Sequence, residues 1–199
     1  MNKVTFGLRN LHIAFKSATQ TGTTPAYDTP IAVPGLVRLA PTAVGDSSTF
    51  FADDGAYYTV TANNGYTLEL EIALLPDTLA ARMFGWKIDK NGMLVETSDG
   101  KPEKFAFMAE VQGDQRNRRF VYYENQASRP AKERTTKGES VEVGTDTLNL
   151  TSSPILVGDQ MIIKGDMELN DSNTTAYNAF FDKVYIPDFT TTSKTGGTA

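Results

Sequence analysis

The strongest constraint on what this chain can become is a hydrophobic period of two. Over residues 65–74, Tyr66, Leu68, Leu70, Ile72 and Leu74 fall on one face, and Thr67, Glu69, Glu71 and Ala73 on the other. Side chains alternate sides along an extended backbone, so the pattern predicts a strand with one dry face and one wet face. The alternation returns over 104–112, where Phe105, Phe107, Ala109 and Val111 are expected inward and Lys104, Ala106, Met108, Glu110 and Gln112 outward. It returns again over 159–169, with Met161, Ile163, Met167 and Leu169 set against Ile162, Lys164, Asp166 and Glu168. Segments 8–15, 118–124 and 147–151 are further strand candidates, rich in aromatic, β-branched and leucine residues.

Turn chemistry separates these runs. Asn64-Gly65 and Asn91-Gly92 supply positive φ at little cost, and Gly113 to Asn117 reads as the tip of a hairpin joining the Phe105 and Phe120 strands. Two short helices interrupt the pattern. Pro76 and Asp77 suit a helix first turn, Leu79, Met83 and Phe84 form an apolar stripe, and Gly85 is placed to end it. A second helix is expected over about 174–182, capped by Ser172 or Asn173 and packing Tyr177, Phe180 and Phe181, with 184–186 returning to strand before Pro187.

Three stretches fall outside this scheme. Residues 17–30 form a Thr/Gly/Pro loop. Residues 42–63 form a long loop around the aromatic pairs Phe50-Phe51 and Tyr57-Tyr58, which either contacts something beyond the body or folds back over its own sheet. Residues 190–199 are of low complexity and are expected to be a flexible C-terminal tail. The expected organisation is therefore one β domain over 1–189, with the loop at about 42–63, followed by that tail.

Composition removes most chemistry. With no cysteine, disulfide scaffolds, thiolate catalysis and cysteine metal sites are excluded. The single histidine, His12, sits in a strand-like run, where a structurally satisfied imidazole is the ordinary reading, and no serine occupies a G-x-S-x-G elbow. No phosphate-cradling glycine motif occurs, and Asp53-Asp54-Gly55 and Asp89 to Gly92 lack the ligand spacing of a calcium loop. Glu69 and Glu71 share a strand face but have no sugar-stacking aromatic beside them. The sequence thus offers no catalytic, cofactor-binding or metal-ligating set, and a non-enzymatic role is expected. No apolar run approaches the roughly 20 residues of a membrane span, and the N-terminus shows no secretory h-region, so folding in a cytoplasm is expected.

Charge is unevenly placed. Over 114–137 seven basic residues (Arg116, Arg118, Arg119, Arg129, Lys132, Arg134, Lys137) face three acids (Asp114, Glu124, Glu133), a balance of +4. The whole chain carries −5, so the remainder carries −9. Such polarity suits head-to-tail contacts between like subunits. The basic run, with Phe120, Tyr122 and Tyr123, also has the composition of a single-strand nucleic-acid surface, which the acidic remainder disfavours.

Several segments, in order and across about 185 residues, resemble the major tail protein (tail tube protein) family of long-tailed, non-contractile phages of Gram-positive bacteria. They are Val4-Thr5-Phe6-Gly7-Leu8-Arg9-Asn10-Leu11, Val33-Pro34-Gly35-Leu36-Val37-Arg38-Leu39, Phe51-Ala52-Asp53-Asp54-Gly55, Asn64-Gly65-Tyr66-Thr67-Leu68-Glu69-Leu70, the helix at 75–85, and Glu124-Asn125-Gln126-Ala127-Ser128-Arg129-Pro130. The resemblance implies a mainly β fold, a β-sandwich or split barrel with long hairpins and one or two short flanking α-helices. It implies a structural subunit of the virion, assembled in the host cytoplasm. Six copies would form a ring, and stacked rings would form the tube through which the genome is delivered.

The partners so implied are further copies of the chain, a tape-measure protein, a tail terminator and tail-tip initiator proteins. Double-stranded DNA would pass through the lumen without specific binding, and no membrane is involved. An acidic lumen would repel phosphates, which makes Glu69, Glu71, Glu110, Asp166 and Glu168 the lumen-lining candidates. Phe50, Phe51, Asp53, Asp54, Tyr57 and Tyr58 in the loop, with Arg116, Arg118 and Arg119, are the candidates for contacts between subunits or rings. The alternative is a β-sandwich binding module on a virion or cell surface, recognising a host or carbohydrate; Trp86, the sole tryptophan, has neighbours that read as core.

Overall fold

The structure, a computed structural model, describes residues 2–18, 24–130, 136 and 144–189. Lys132, Glu133, Arg134 and Lys137 of the basic run, and the tail at 190–199, lie outside the described residues. Strands β1 (Thr5–Phe15), β2 (Ile31–Ala32), β3 (Leu36–Val44), β4 (Ser47–Ala52), β5 (Gly55–Thr61) and β6 (Gly65–Ile72) precede helix α1 (Asp77–Phe84). After it come β7 (Lys87–Ile88), β8 (Leu94–Val95), β9 (Phe105–Gly113), β10 (Arg118–Ala127), β11 (Asp146–Ser153), β12 (Ile155–Val157), β13 (Gln160–Ile162) and β14 (Lys164–Glu168). Helix α2 (Thr174–Asn178) runs into a 3-10 turn over Ala179–Phe181. The fold is mainly β, as the period-two pattern predicts.

One antiparallel sheet dominates, in the order β2-β1-β9-β10-β11-β6-β3. Its two ends, β2 and β3, are separated in sequence only by Val33, Pro34 and Gly35. Such a sheet has to curl round on itself, and the curl encloses an apolar interior. Leu11, Ile13 and Phe15 of β1, Leu68, Leu70 and Ile72 of β6, Phe105 and Phe107 of β9, Phe120 and Tyr122 of β10, and Leu148 and Leu150 of β11 fill it. Helix α1 closes one side with Leu79, Ala80, Met83 and Phe84. Pro76 stands at its N-cap, and Gly85 ends it at φ 70°, a left-handed conformation that glycine adopts without steric cost.

Strand β10 forks the sheet. Its first half, Arg118 to Tyr122, pairs with β14, and its second half, Glu124 to Ala127, pairs with β11. The register with β9 shifts between Tyr122 and Asn125. Asn125 heals this break: fully buried, it donates from Nδ2 to the carbonyls of Phe105 (3.0 Å) and Tyr122 (2.9 Å), which the shifted ladder would otherwise strand.

The second layer is where the structure corrects the sequence reading. Ala106, Met108 and Glu110, expected on a wet face, are all buried. That face of β9, with Ala14, Val121 and Tyr123, is covered by Ile155, Val157, Phe180 and Val184. β9 is therefore a central strand dry on both faces, and small or flexible side chains (two alanines and Met108) let the C-terminal segment settle against it. Residues 184–186 belong to this cover without forming a strand. Two residues expected inside are out: Leu74 lies beyond the end of β6, where Leu75 takes the buried place, and Met161 pairs with Leu156 on the outer side of the β12–β13 hairpin. Residues 159–169 are thus two short strands, β13 and β14, broken at Ile163.

Candidate assembly surfaces

Residues 42–63 are neither an irregular loop nor folded back. The chain leaves β3 at Val44, forms the two-stranded hairpin β4–β5 outside the main sheet, and returns at Gly65, which pairs with Val44. At its tip Asp53 (φ 52°) and Asp54 (φ 61°) are both left-handed, as a two-residue type I′ turn requires, and aspartate tolerates that geometry better than most residues.

The ladder pairs Ser48 with Val60, Thr49 with Thr59 and Phe50 with Tyr58, then slips so that Phe51 faces Ala56 and Tyr57 becomes the extra, bulged residue. Phe50, Tyr58, Val60 and the bulged Tyr57 consequently gather on one side, with Phe50 and Tyr57 edge to face at 6.5 Å between ring centroids. Thr49 and Thr59 stand on the other, their hydroxyls 3.2 Å apart. Phe50, Tyr57 and Tyr58 are between 63 % and 74 % exposed, so that side of the ribbon is a bare aromatic face, while Phe51, equally exposed, stands on the threonine side.

A second surface is the wet side of β3–β6–β11. Cross-strand register sets Arg38, Glu71 and Thr147 in one row, Ala40, Glu69 and Asn149 in the next, and Thr42, Thr67 and Thr151 in a third. Arg38 pairs with Glu69, and the Thr145 hydroxyl donates to Glu71 at 2.7 Å. The result is a polar face of small residues with one negative charge in excess among Arg38, Glu69 and Glu71.

The other lumen-lining candidates do not join it. Asp166 and Glu168 lie on β14, the other prong of the fork, where Asp166 sits 3.6 Å from Lys164 and Glu168 pairs with Arg118 at 2.9 Å. Glu110 cannot line any solvent-filled space: its side chain is 2 % exposed. Its carboxylate accepts from Arg9 Nε (2.7 Å), Asn117 Nδ2 (3.2 Å) and Arg119 Nε (2.9 Å), with Arg9 Nη2 also at 2.7 Å.

Arg119 is corrected with it. Expected on an outer contact face, it is largely buried, its guanidinium 3.9 Å from the Tyr177 ring centre and 4.8 Å from that of Phe181, and it donates to the Tyr177 carbonyl. It fastens α2 to the sheet. Arg118 is exposed but already paired with Glu168. Arg116, at the β9–β10 tip, is exposed and donates from Nη1 to the Leu169 carbonyl at 2.5 Å. Of the three arginines only Arg116 has no carboxylate partner among the described residues.

His12 accounts for itself structurally, with Nδ1 3.0 Å from the Asn10 carbonyl and its ring stacked on Phe181 at 4.6 Å. An ion group absent from the sequence expectations is the buried Glu124 with the partly exposed Lys16 (2.5 Å) and Lys104 (2.6 Å). Burial pushes the Glu124 carboxyl up, but hydrogen bonds from Lys104 and Lys16, and their charges, outweigh it and hold the group below the usual carboxylate range. A depressed folded pKa stabilises the protein above the unfolded value of about 4.3, and that contribution disappears as pH falls through the folded value. Glu124→Gln should therefore lower stability at neutral pH and flatten the loss of stability below about pH 4.3. Urea midpoints measured from pH 7 to pH 3 test this; parallel curves for the two proteins would refute it.

Among the described residues no group of three His, Asp or Glu gathers to hold a metal, and no helix is long and apolar enough to cross a membrane. A scan against protein families and a search of curated proteins found no match to this chain.

Proposed function

We propose that this protein is a structural subunit of a phage tail tube, assembling into stacked hexameric rings that conduct the genome. The observation that carries the reading is the β4–β5 hairpin: a ribbon with an exposed aromatic side, standing off a curled β body. A contiguous apolar surface of this kind is a liability on a lone molecule, and burial against another copy removes it. The wet face of β3–β6–β11 supports the same reading. It offers Glu69 and Glu71 among threonines and one asparagine, with its one cation, Arg38, already paired to Glu69, so the face keeps a negative charge in excess and gives phosphates little to hold. In this reading the lumen candidates reduce to Glu69 and Glu71, and the tape-measure, terminator and initiator proteins are the partners at the tube's interior and ends.

Negative-stain electron microscopy of the concentrated protein, alone and with a tail-tip initiator complex, tests the proposal. Rings or hollow tubes with sixfold end views are expected. A monodisperse monomer under both conditions overturns it and favours the surface binding module.

A further inference from the structure

We propose that an arginine cleft at the β9–β10 tip is a receptor for paired carboxylates, and that its occupant is the Asp53-Asp54 turn of a second copy of this chain. The inference rests on the assembly reading above for its partner, and on the following geometry for its site.

The cleft, open and of about 380 Å³, is lined by Arg9, Arg116 and Arg119 with a single carboxylate, Glu110. Three guanidinium charges against one carboxylate leave +2. Glu110 supplies only one negative charge, and it is already engaged by Arg9, Asn117 and Arg119. Arg119 is locked by its bond to the Tyr177 carbonyl and its stacking on Tyr177 and Phe181.

Arg9 is half exposed and Arg116 exposed, and the bonds above use only part of the five donors of each guanidinium. The cleft wall is also stiff. Asn2 Oδ1 accepts from the backbone N–H groups of Gln115 (3.1 Å) and Arg116 (2.8 Å), and Asp114 Oδ1 accepts from the Lys3 N–H (2.9 Å), tying the hairpin tip to the start of β1. A concave, pre-ordered surface with unspent guanidinium donors recognises carboxylates by bidentate hydrogen bonding.

The matching group is on the same chain, at the tip of a hairpin that pairs with no strand of the main sheet. Asp53 and Asp54 form no ion pair in their own chain among the described residues. They stand at a two-residue turn, the narrowest reversal a ribbon can make, at the end of strands whose six residues in β4 extend roughly 20 Å. The tip carries −2 and the cleft +2. Insertion of one into the other is a head-to-tail contact, the kind that propagates from copy to copy. The aromatic side of the hairpin would then lie along the neighbour's surface while the acidic tip sets the register.

Because the chain has no cysteine, the contact can be trapped without disturbing any charge in it. One full-length variant carries Ala52→Cys, beside the tip, and a second carries Gln115→Cys, on the cleft wall. Asn91→Cys, exposed in the β7–β8 turn, replaces Ala52→Cys in the control pair. Mixed at high concentration and mildly oxidised, the Ala52→Cys and Gln115→Cys chains should form a disulfide heterodimer in roughly tenfold excess over the control pair.

Adding Asp53→Asn and Asp54→Asn to the first chain keeps residues that tolerate left-handed φ and should return the yield to the control level, as should 1 M salt. If the unmodified protein forms rings or tubes while the yield stays at the control level, the pairing is wrong and the tail-tube reading stands. Charge-dependent cross-linking without rings or tubes supports the pairing and overturns the tail-tube reading. Neither cross-link nor assembly overturns both.

Discussion

Glu110→Ala is expected to lower the free energy of unfolding by about 3 kcal/mol, which for a domain of this size is a drop of about 9 °C in Tm. The carboxylate is enclosed by Arg9, Asn117 and Arg119, and its side chain is 2 % exposed. Removing it leaves the Arg119 guanidinium, 17 % exposed and fixed over Tyr177, with no other ion-pair partner among the described residues. Stranding a buried charge costs more than the intact pair contributes. Arg9 is half exposed and can turn to solvent, which places the effect at the lower end of the range for broken buried pairs.

The damage should also be directional. Arg119 holds α2 through the Tyr177 carbonyl and ring, so protease sensitivity should rise first around α2. Glu110→Gln keeps shape and an acceptor and should cost about 2 kcal/mol. Urea and thermal melts of the two variants decide the matter, and a loss below 1 kcal/mol for Glu110→Ala would show that the carboxylate is not the counter-charge described.

The second expectation separates folding from assembly. Phe50→Ser, Tyr57→Ser and Tyr58→Ser, made together, should leave the Tm of the body unchanged within a few degrees, because none of the three rings contributes to either core. Assembly should weaken by on the order of 4 kcal/mol, roughly a thousandfold, since aromatic anchors at a desolvated contact are worth about 2 kcal/mol each and only part of this is recovered in combination. Sedimentation velocity across a concentration series, with microscopy of the same samples, reads both quantities. Tubes forming at the same concentration as the unmodified protein would remove the hairpin from the contact.

The half-wet strand β6, helix α1 with its Pro76 and Gly85 boundaries, and the β9–β10 hairpin were legible along the chain. Each is governed by interactions spanning only a few residues: alternation, a cap, a turn. The β4–β5 hairpin was half legible. Its aromatics and its Asp53-Asp54-Gly55 turn stand in the sequence, but Ser/Thr-rich strands with both sides exposed leave no dry-face alternation to reveal them as strands.

Glu110 was misread for a different reason. Its own alternation places it opposite Phe107 and Ala109, and that is correct; what the period cannot say is whether the opposite face meets water. The residues that cover β9, from Ile155 to Val184, lie far along the chain, on the short strand β12, the 3-10 turn after α2 and the irregular backbone that follows it. Arg9 is 101 residues from its carboxylate partner, and no local spacing relates the two.

By itself, then, the sequence determined the strand-dominated class, the positions of most turns and one helix, and the absence of cysteine chemistry. These follow from the covalent order of side chains and from local backbone preferences. Tertiary structure alone decided that β2 and β3, adjacent in the chain, stand at opposite ends of one curled sheet, that β10 forks between Tyr122 and Glu124, and which carboxylates face water. Those outcomes depend on which distant surfaces meet, since burial and ion pairing are properties of two segments at once and are written in neither.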